Sequence, residues 1–208
     1  MEIHKEFREV SINGRNAYIA ITMDLFLNRN YSKIYNSIEW QYLKNILWLY
    51  IGANSNSALY NIFEILLQYF YGINNIGLNI VKLEMMGKSI NDVEVIEKFK
   101  LEILEDNRDF FVLQNKDEKF FTFYKCMDME VRKLFHDFLE MLLCEYAIGE
   151  PSGANNLYIM EVIINYMKEK GFNAFPNTEP FKQFSINEWS GWGNPISRKY
   201  IKEAVAQN

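Results

Sequence analysis

The apolar residues of this chain recur mostly at helical spacing. One segment, about 37–51, places four large apolar residues on one side of a helix: Trp40, Leu43, Leu47 and Tyr50. Another segment, about 128–147, does the same with six: Val131, Leu134, Phe135, Phe138, Leu142 and Tyr146. We therefore predict a helix in each segment.

Three further helices are predicted with the help of their ends. Residues 58–71 are apolar on nearly all sides and precede Gly72, which indicates a helix in the middle of a core. Residues 155–170 end in Lys-Glu-Lys before Gly171, a pattern typical of a helix C-terminus. A short last helix is expected after Pro195.

Two stretches instead predict β-hairpins. Residues 5–22 contain Asn13-Gly14, a dipeptide that favours tight hairpin turns, between apolar residues that roughly alternate. Residues 109–125 place two aromatic-rich arms around a polar tip. The predicted fold class is therefore α+β, mainly α, with a helical core, and we expect residues 1–208 to form a single globular domain.

The segment 172–195 combines three of the four prolines with several phenylalanines and the sequence NEWSGWGNP. We expect it to be irregular but packed across the helical core. Gly191 and Gly193 flank Trp192, which indicates a backbone bent closely against something. We expect Trp189 to cap the core and Trp192 to face outward.

Charge is distributed unevenly along the chain. The formal net charge is -5, which disfavours a general nucleic-acid binder. Residues 84–150 hold 16 acidic and 9 basic residues, a net of -7, whereas the remainder holds 11 acidic and 13 basic residues, a net of +2. This acidic stretch either keeps the protein soluble or steers a basic protein into contact.

The sequence gives no sign of membrane insertion or of secretion. We find no signal peptide, and the apolar runs are too short to cross a bilayer. The two cysteines, Cys126 and Cys144, fit a reducing compartment better than a disulfide scaffold. We expect a cytoplasmic protein.

Motifs for catalysis or for cofactor binding are missing. The chain has no GxxxxGK[ST], GxGxxG, HExxH or GxSxG motif, so we expect no cofactor and no catalytic site. His136 and Glu140 share one side of the predicted helix 128–147, as two metal ligands could. The helical wheel, however, puts them with Asp137 opposite the apolar face, so we interpret them as a solvated face and expect no metal.

Recognition of another protein is the remaining interpretation, because interfaces concentrate Trp, Tyr and Arg. In its acidic stretch 84–150, its lack of catalytic motifs and its Asn/Ile/Phe/Tyr-rich composition, the chain resembles immunity proteins of bacterial polymorphic-toxin and contact-dependent inhibition systems. The resemblance implies an inhibitor that covers the active site of a basic, nuclease-type toxin. The expected partner-binding residues are Asp106, Asp109, Asp117, Glu118, Glu140 and Trp192.

Other interpretations remain open at this point. The chain could be a structural or regulatory interaction domain, including a homodimer, or a phage-encoded inhibitor of host defence. An enzyme of unrecognised type is a more remote alternative.

Overall fold

The computed structural model describes residues 3–52, 127–148 and 153–206, and these are mainly helical. The helices are α1 (Ile3–Phe7), α2 (Ile12–Asn30), α3 (Ser32–Tyr35), α4 (Ile38–Ile51), α5 (Met129–Ile148), α6 (Ala154–Glu169) and α7 (Arg198–Ala206). Two 3-10 turns, Glu179–Phe181 and Trp189–Gly191, lie between α6 and α7. The described residues contain no strand, only an isolated antiparallel bridge between Val10 and Ser185.

The helices predicted from one-sided apolar patterns are confirmed. In α4 the residues Trp40, Leu43, Leu47 and Tyr50 are all buried, and Ser37 caps the N-terminus by accepting a hydrogen bond from the Trp40 N–H. The predicted apolar face of α5 is buried from Val131 to Leu142. In both helices the large apolar side chains lie along one stripe that faces the core, and such a stripe leaves the clearest periodicity in a sequence.

The prediction of a β-hairpin over residues 5–22 is wrong. Asn13 and Gly14 lie in the first turn of α2, and Ser11 is its N-cap, with Oγ accepting a hydrogen bond from the Gly14 N–H at 3.2 Å. A Cβ on Gly14 would lie 2.6 Å from Cγ1 of Val10. Glycine therefore permits close packing at the start of a helix here, and it does not form a turn between strands.

The apolar pattern at the start of α2 did not predict a helix, because the first part of α2 is covered on every side. All residues from Ile12 to Met23 are buried, including the polar side chains of Asn13, Arg15 and Asn16. A helix buried all round has no polar stripe, so its sequence carries no helical period and resembles a strand. Neighbours of α2 include α3, α4, α5 and α6, which makes it the central element of the described residues.

Arg15 joins α2 to two other elements inside the core. Its Nε donates to the main-chain oxygen of Phe7 at 3.1 Å, and one terminal nitrogen donates to that of Arg8 at 3.1 Å. The other terminal nitrogen donates to the oxygen of Gly153 at 2.6 Å, immediately before α6. Because the last carbonyl groups of a helix lack intrahelical partners, the guanidinium group completes the C-terminus of α1.

A second buried polar contact joins α2, α5 and α6. Asn156 donates from Nδ2 to Oδ1 of Asn16 at 3.0 Å and to the main-chain oxygen of Met141 at 2.8 Å. The predicted hairpin 109–125 and the predicted helix 58–71 lie outside the described residues.

Candidate functional site: the tryptophan loop

The sequence NEWSGWGNP, residues 187–195, forms a loop on the first turn of α2, and we call it the tryptophan loop. The residues that lead into it lie beside the chain that enters α2. Ser11 donates its main-chain N–H to the oxygen of Phe184 at 2.8 Å, and Ile186 donates to the oxygen of Glu9 at 3.0 Å. The Val10–Ser185 bridge lies between these two hydrogen bonds.

Asn13 holds the far side of the tryptophan loop. Its main-chain N–H donates to the oxygen of Trp192 at 2.9 Å, and its side-chain Nδ2 donates to the oxygen of Gly193 at 3.2 Å. Asn13 is fully buried. Buried hydrogen bonds are costly to break because the separated groups have no water to bind in the interior. The two hydrogen bonds of Asn13 therefore fix two consecutive peptide groups of the loop.

Glycine is required at position 193 for two reasons. Its φ of 78° lies in the left-handed region, and a Cβ there would lie 2.1 Å from Oγ of Ser11. The loop backbone therefore lies directly against the N-cap of α2. This result confirms the close approach expected from the two glycines around Trp192.

Trp189 has an unusual backbone conformation. Its φ is 42°, in the left-handed region that bulky side chains rarely adopt. Glu188 supports the turn, because its main-chain oxygen accepts hydrogen bonds from the N–H groups of Gly191 at 3.1 Å and Gly193 at 3.0 Å. Its carboxylate also accepts a hydrogen bond from Nδ2 of Asn194 at 2.9 Å. Backbone strain of this kind persists only where the surroundings hold it, and it concentrates at functional sites.

The two tryptophans of the loop are alike in being neither fully buried nor exposed. Trp189 and Trp192 are both partly buried and packed against the hydrophobic core. The structure therefore shows no contrast of the expected kind, with Trp189 inward and Trp192 outward. Trp189 begins the 3-10 turn and Trp192 directly follows it, so one short folded segment carries both side chains. In contrast, Trp40 and Trp48 of α4 are buried.

The predicted acidic residues lie elsewhere in the chain. Asp106, Asp109, Asp117 and Glu118 are outside the described residues. Glu140 lies on α5 and is partly buried, so a different element carries it from the one that carries Trp192.

The polar side of α5 is not the solvated face that the helical wheel predicts. His136 and Asp137 are only 3% and 7% exposed. Burial, and then the charges of Lys133 and Arg132, lower the pKa of His136 to about 4, so its ring is neutral near pH 7. Burial also raises the pKa of Asp137, whose carboxylate accepts a hydrogen bond from Lys133 at 2.9 Å. The prediction of a solvated face from the helical wheel is wrong because α5 is covered on more than one side.

The described residues were compared with the requirements of a metal site and of a ligand cavity. In the three described ranges, no group of three or more His, Cys, Asp or Glu side chains could hold a metal ion. One cavity of about 580 Å³ lies beside Val10 and is also lined by Lys5, Glu6, Glu9 and Lys182. Two of its charged groups already have partners, since Glu6 accepts a hydrogen bond from Thr178 and Lys182 is paired with Glu179.

Comparisons with protein-family models, with curated proteins and with solved structures found no match for this chain. No helix within residues 3–52, 127–148 or 153–206 has the length and apolar character needed to cross a membrane.

Proposed function

We propose that this protein binds another protein and inhibits it, in the manner of an immunity protein that neutralises a toxin. The observation that carries the proposal is the tryptophan loop, with a fixed backbone, a strained Trp189 and two indoles that reach the surface. Tryptophan is enriched among the residues that contribute most to protein interfaces. A loop that is already ordered also loses little conformational entropy on binding.

The charge of the chain supports an inhibitory role against a basic partner. The acidic stretch 84–150 has a net charge of -7. At its described end, Asp128 and Glu130 are exposed, although Glu130 is paired with Lys170. An acidic surface of this kind speeds association with a basic protein and makes the association rate sensitive to salt. A nuclease-type toxin would be a basic partner of this kind, because its active site binds the phosphates of a nucleic acid.

The test is an inhibition and binding assay with the product of the gene directly upstream, where an immunity gene would have its toxin. Toxin activity and association rate are measured at low and high salt with the wild-type chain and with Trp192→Ala. We expect inhibition at one-to-one stoichiometry, with binding weakened about tenfold or more in the variant. Trp192→Phe, which keeps an aromatic ring at this position, is the matched control.

Charge-reversal variants test the electrostatic part separately. Substitution by lysine is made at the predicted acidic positions Asp106, Asp109, Asp117, Glu118 and Glu140, with Glu203→Lys outside the acidic stretch as control. We expect slower association for the first group only. If neither salt nor these reversals alter the association rate, the acidic surface does not steer the partner. If the chain leaves toxin activity unchanged and instead self-associates in sedimentation equilibrium, the inhibitory function is wrong and a homodimeric interaction domain replaces it.

A further inference from the structure

Asn13 links the central helix to the tryptophan loop through two separate N–H groups. Its main-chain N–H binds the oxygen of Trp192, and its side-chain amide binds the oxygen of Gly193. These contacts join positions about 180 residues apart in sequence, and the side chain that makes the second contact is fully buried. Asn13 therefore fixes the carbonyl group of the same residue that carries the Trp192 indole.

A second buried asparagine on α2 allows an effect on the position of the tryptophan loop to be distinguished from a general loss of stability. Asn16 is equally buried, one turn further along the helix, but its Oδ1 accepts a hydrogen bond from Asn156 of α6. Both side chains belong to the polar part of the core. Their amide groups differ in direction, because that of Asn13 binds the tryptophan loop and that of Asn16 binds a neighbouring helix.

We propose that Asn13 is a positioning residue for partner recognition, which holds the carbonyl groups of Trp192 and Gly193 so that the Trp192 indole keeps one orientation at the surface. The inference rests on the proposed function of the tryptophan loop. Its physical basis is that a left-handed Trp189 does not keep this conformation unless the rest of the loop is tied down. Asn13 supplies two of the ties, and the close approach of Gly193 to Ser11 supplies a third.

The orientation of the indole is measured without any partner. The full chain is labelled with 5-fluorotryptophan, and its four fluorine resonances are assigned with single Trp→Phe variants. We expect Asn13→Asp, which keeps the side-chain shape but removes the amide donor, to shift or broaden the Trp192 resonance. The resonances of the buried Trp40 and Trp48 should stay in place, and Asn13→Ala should act in the same direction.

Asn16→Asp and Asn16→Ala are the matched controls. Asn16→Asp introduces the same carboxyl group at an equally buried position of the same helix, and Asn16→Ala removes the oxygen that accepts from Asn156. The two variants therefore report what a merely structural change does. We expect them to leave the Trp192 resonance unchanged. If the Asn13 variants also leave it unchanged, or if the variants at both positions move it alike, Asn13 does not position the tryptophan loop.

Binding to the upstream toxin then separates the two proposals. We expect Asn13→Asp to weaken binding about tenfold, because the Trp192 indole then no longer keeps the orientation that the partner recognises. We expect Asn16→Asp to leave affinity nearly unchanged. If Trp192→Ala has no effect on binding while Asn13→Asp still moves the Trp192 resonance, the proposed role of the loop in recognition fails but the positioning contact stands. If Trp192→Ala weakens binding and Asn13→Asp does not, the positioning role is overturned.

Discussion

The guanidinium group of Arg15 and the main-chain oxygen of Gly153 lie 2.6 Å apart, although the residues are separated by 138 positions in sequence. Gly153 has a φ of 60°, and a Cβ there would lie 2.5 Å from a guanidinium nitrogen of Arg15. The bend before α6 is therefore shaped around the Arg15 side chain. The main-chain oxygens of Phe7 and Arg8 bind the other nitrogens, so one arginine joins α1, α2 and the start of α6.

Replacing Arg15 should be among the most damaging single changes to stability. In Arg15→Met the apolar volume is roughly kept, but the main-chain oxygens of Phe7, Arg8 and Gly153 each lose a donor. We expect the free energy of unfolding in urea to fall by about 3 kcal/mol. Arg29→Met is the control, because Arg29 donates to Asn173 at the surface, and that variant should lose less than about 0.5 kcal/mol. Equal losses in the two variants would contradict the role assigned to Arg15.

Two glycines with similar backbone conformations should differ in their tolerance of alanine. Gly171 has a φ of 75°, and no described atom lies within 4 Å of the place a Cβ would take, so Gly171→Ala reports left-handed strain alone. We expect it to cost about 1 kcal/mol. Gly193 has a φ of 78°, but its Cβ would meet Ser11, so Gly193→Ala should cost at least about 2 kcal/mol more by thermal unfolding. Similar costs at both positions would show that the loop does not lie tightly against the N-cap.

Breaking the ion pair between α2 and α4 should also lower the free energy of unfolding markedly. Lys44 donates to Oδ1 of Asp24 at 2.7 Å, and the indole N–H of Trp40 donates to the same oxygen at 3.1 Å. The Lys44 side chain is only 7% exposed, so Asp24→Asn leaves a buried ammonium group without its counter-charge. We expect a loss of about 3 kcal/mol in the free energy of unfolding.

The control for this ion pair is Glu203→Gln, which removes an exposed partner of Lys199 at 3.9 Å. Such surface pairs contribute little, so we expect a change within about 0.5 kcal/mol. If Asp24→Asn is equally mild, Lys44 reaches water despite its burial.

His136 should make stability depend on pH in a defined window. Burial lowers its pKa from 6.5 to about 4, so the unfolded chain binds a proton more readily than the folded chain. The stabilising contribution is fully present above pH 6.5 and is lost as the pH falls towards 4. We expect the protonation of His136 to make the free energy of unfolding about 2 kcal/mol lower at about pH 5 than at about pH 7.

Variants isolate the histidine contribution from that of its neighbour. The pKa of Asp137 is raised by burial, which acts on the pH dependence in the opposite direction. The quantity to compare is therefore the difference between the wild type and His136→Gln at each pH, and we expect that difference to change with pH. A wild-type slope in His136→Gln would assign the effect to other groups.

The helices whose large apolar side chains form one stripe were predicted, and α2, whose residues 12–23 are all buried, was missed. In α4 and α5 the apolar stripe contrasts with polar neighbours, so spacing identifies the helix. In α2 polar and apolar side chains alike are buried, and Asn13-Gly14 has the composition of a turn. Ser11 was the signal that could have indicated a helix here. It lies three residues before Gly14, which is the spacing between an N-cap side chain and the main-chain N–H that it binds.

The site was predictable in its backbone but not in its contacts. Glycines on both sides of Trp192 indicated a close approach, and Gly193 makes one with Ser11. The contact between Asn13 and Gly193 was out of reach, because no local pattern links residues 180 positions apart. The burial of His136 was missed for a related reason, since a helical wheel shows which residues share a face but not how many faces are covered.

The attachment of residues 184–193 to the start of α2 has a consequence during synthesis on the ribosome. The first turn of the central helix is completed by carbonyl groups of Phe184, Trp192 and Gly193, which are made long after α2 itself. Until those residues emerge, a nascent chain carries α2 without the segment that covers its beginning. Contacts so distant in sequence slow folding, and they leave apolar surface exposed in the meantime. We expect nascent chains halted before residue 184 to remain sensitive to protease at residues 9–16, and full-length chains released from the ribosome to be resistant there.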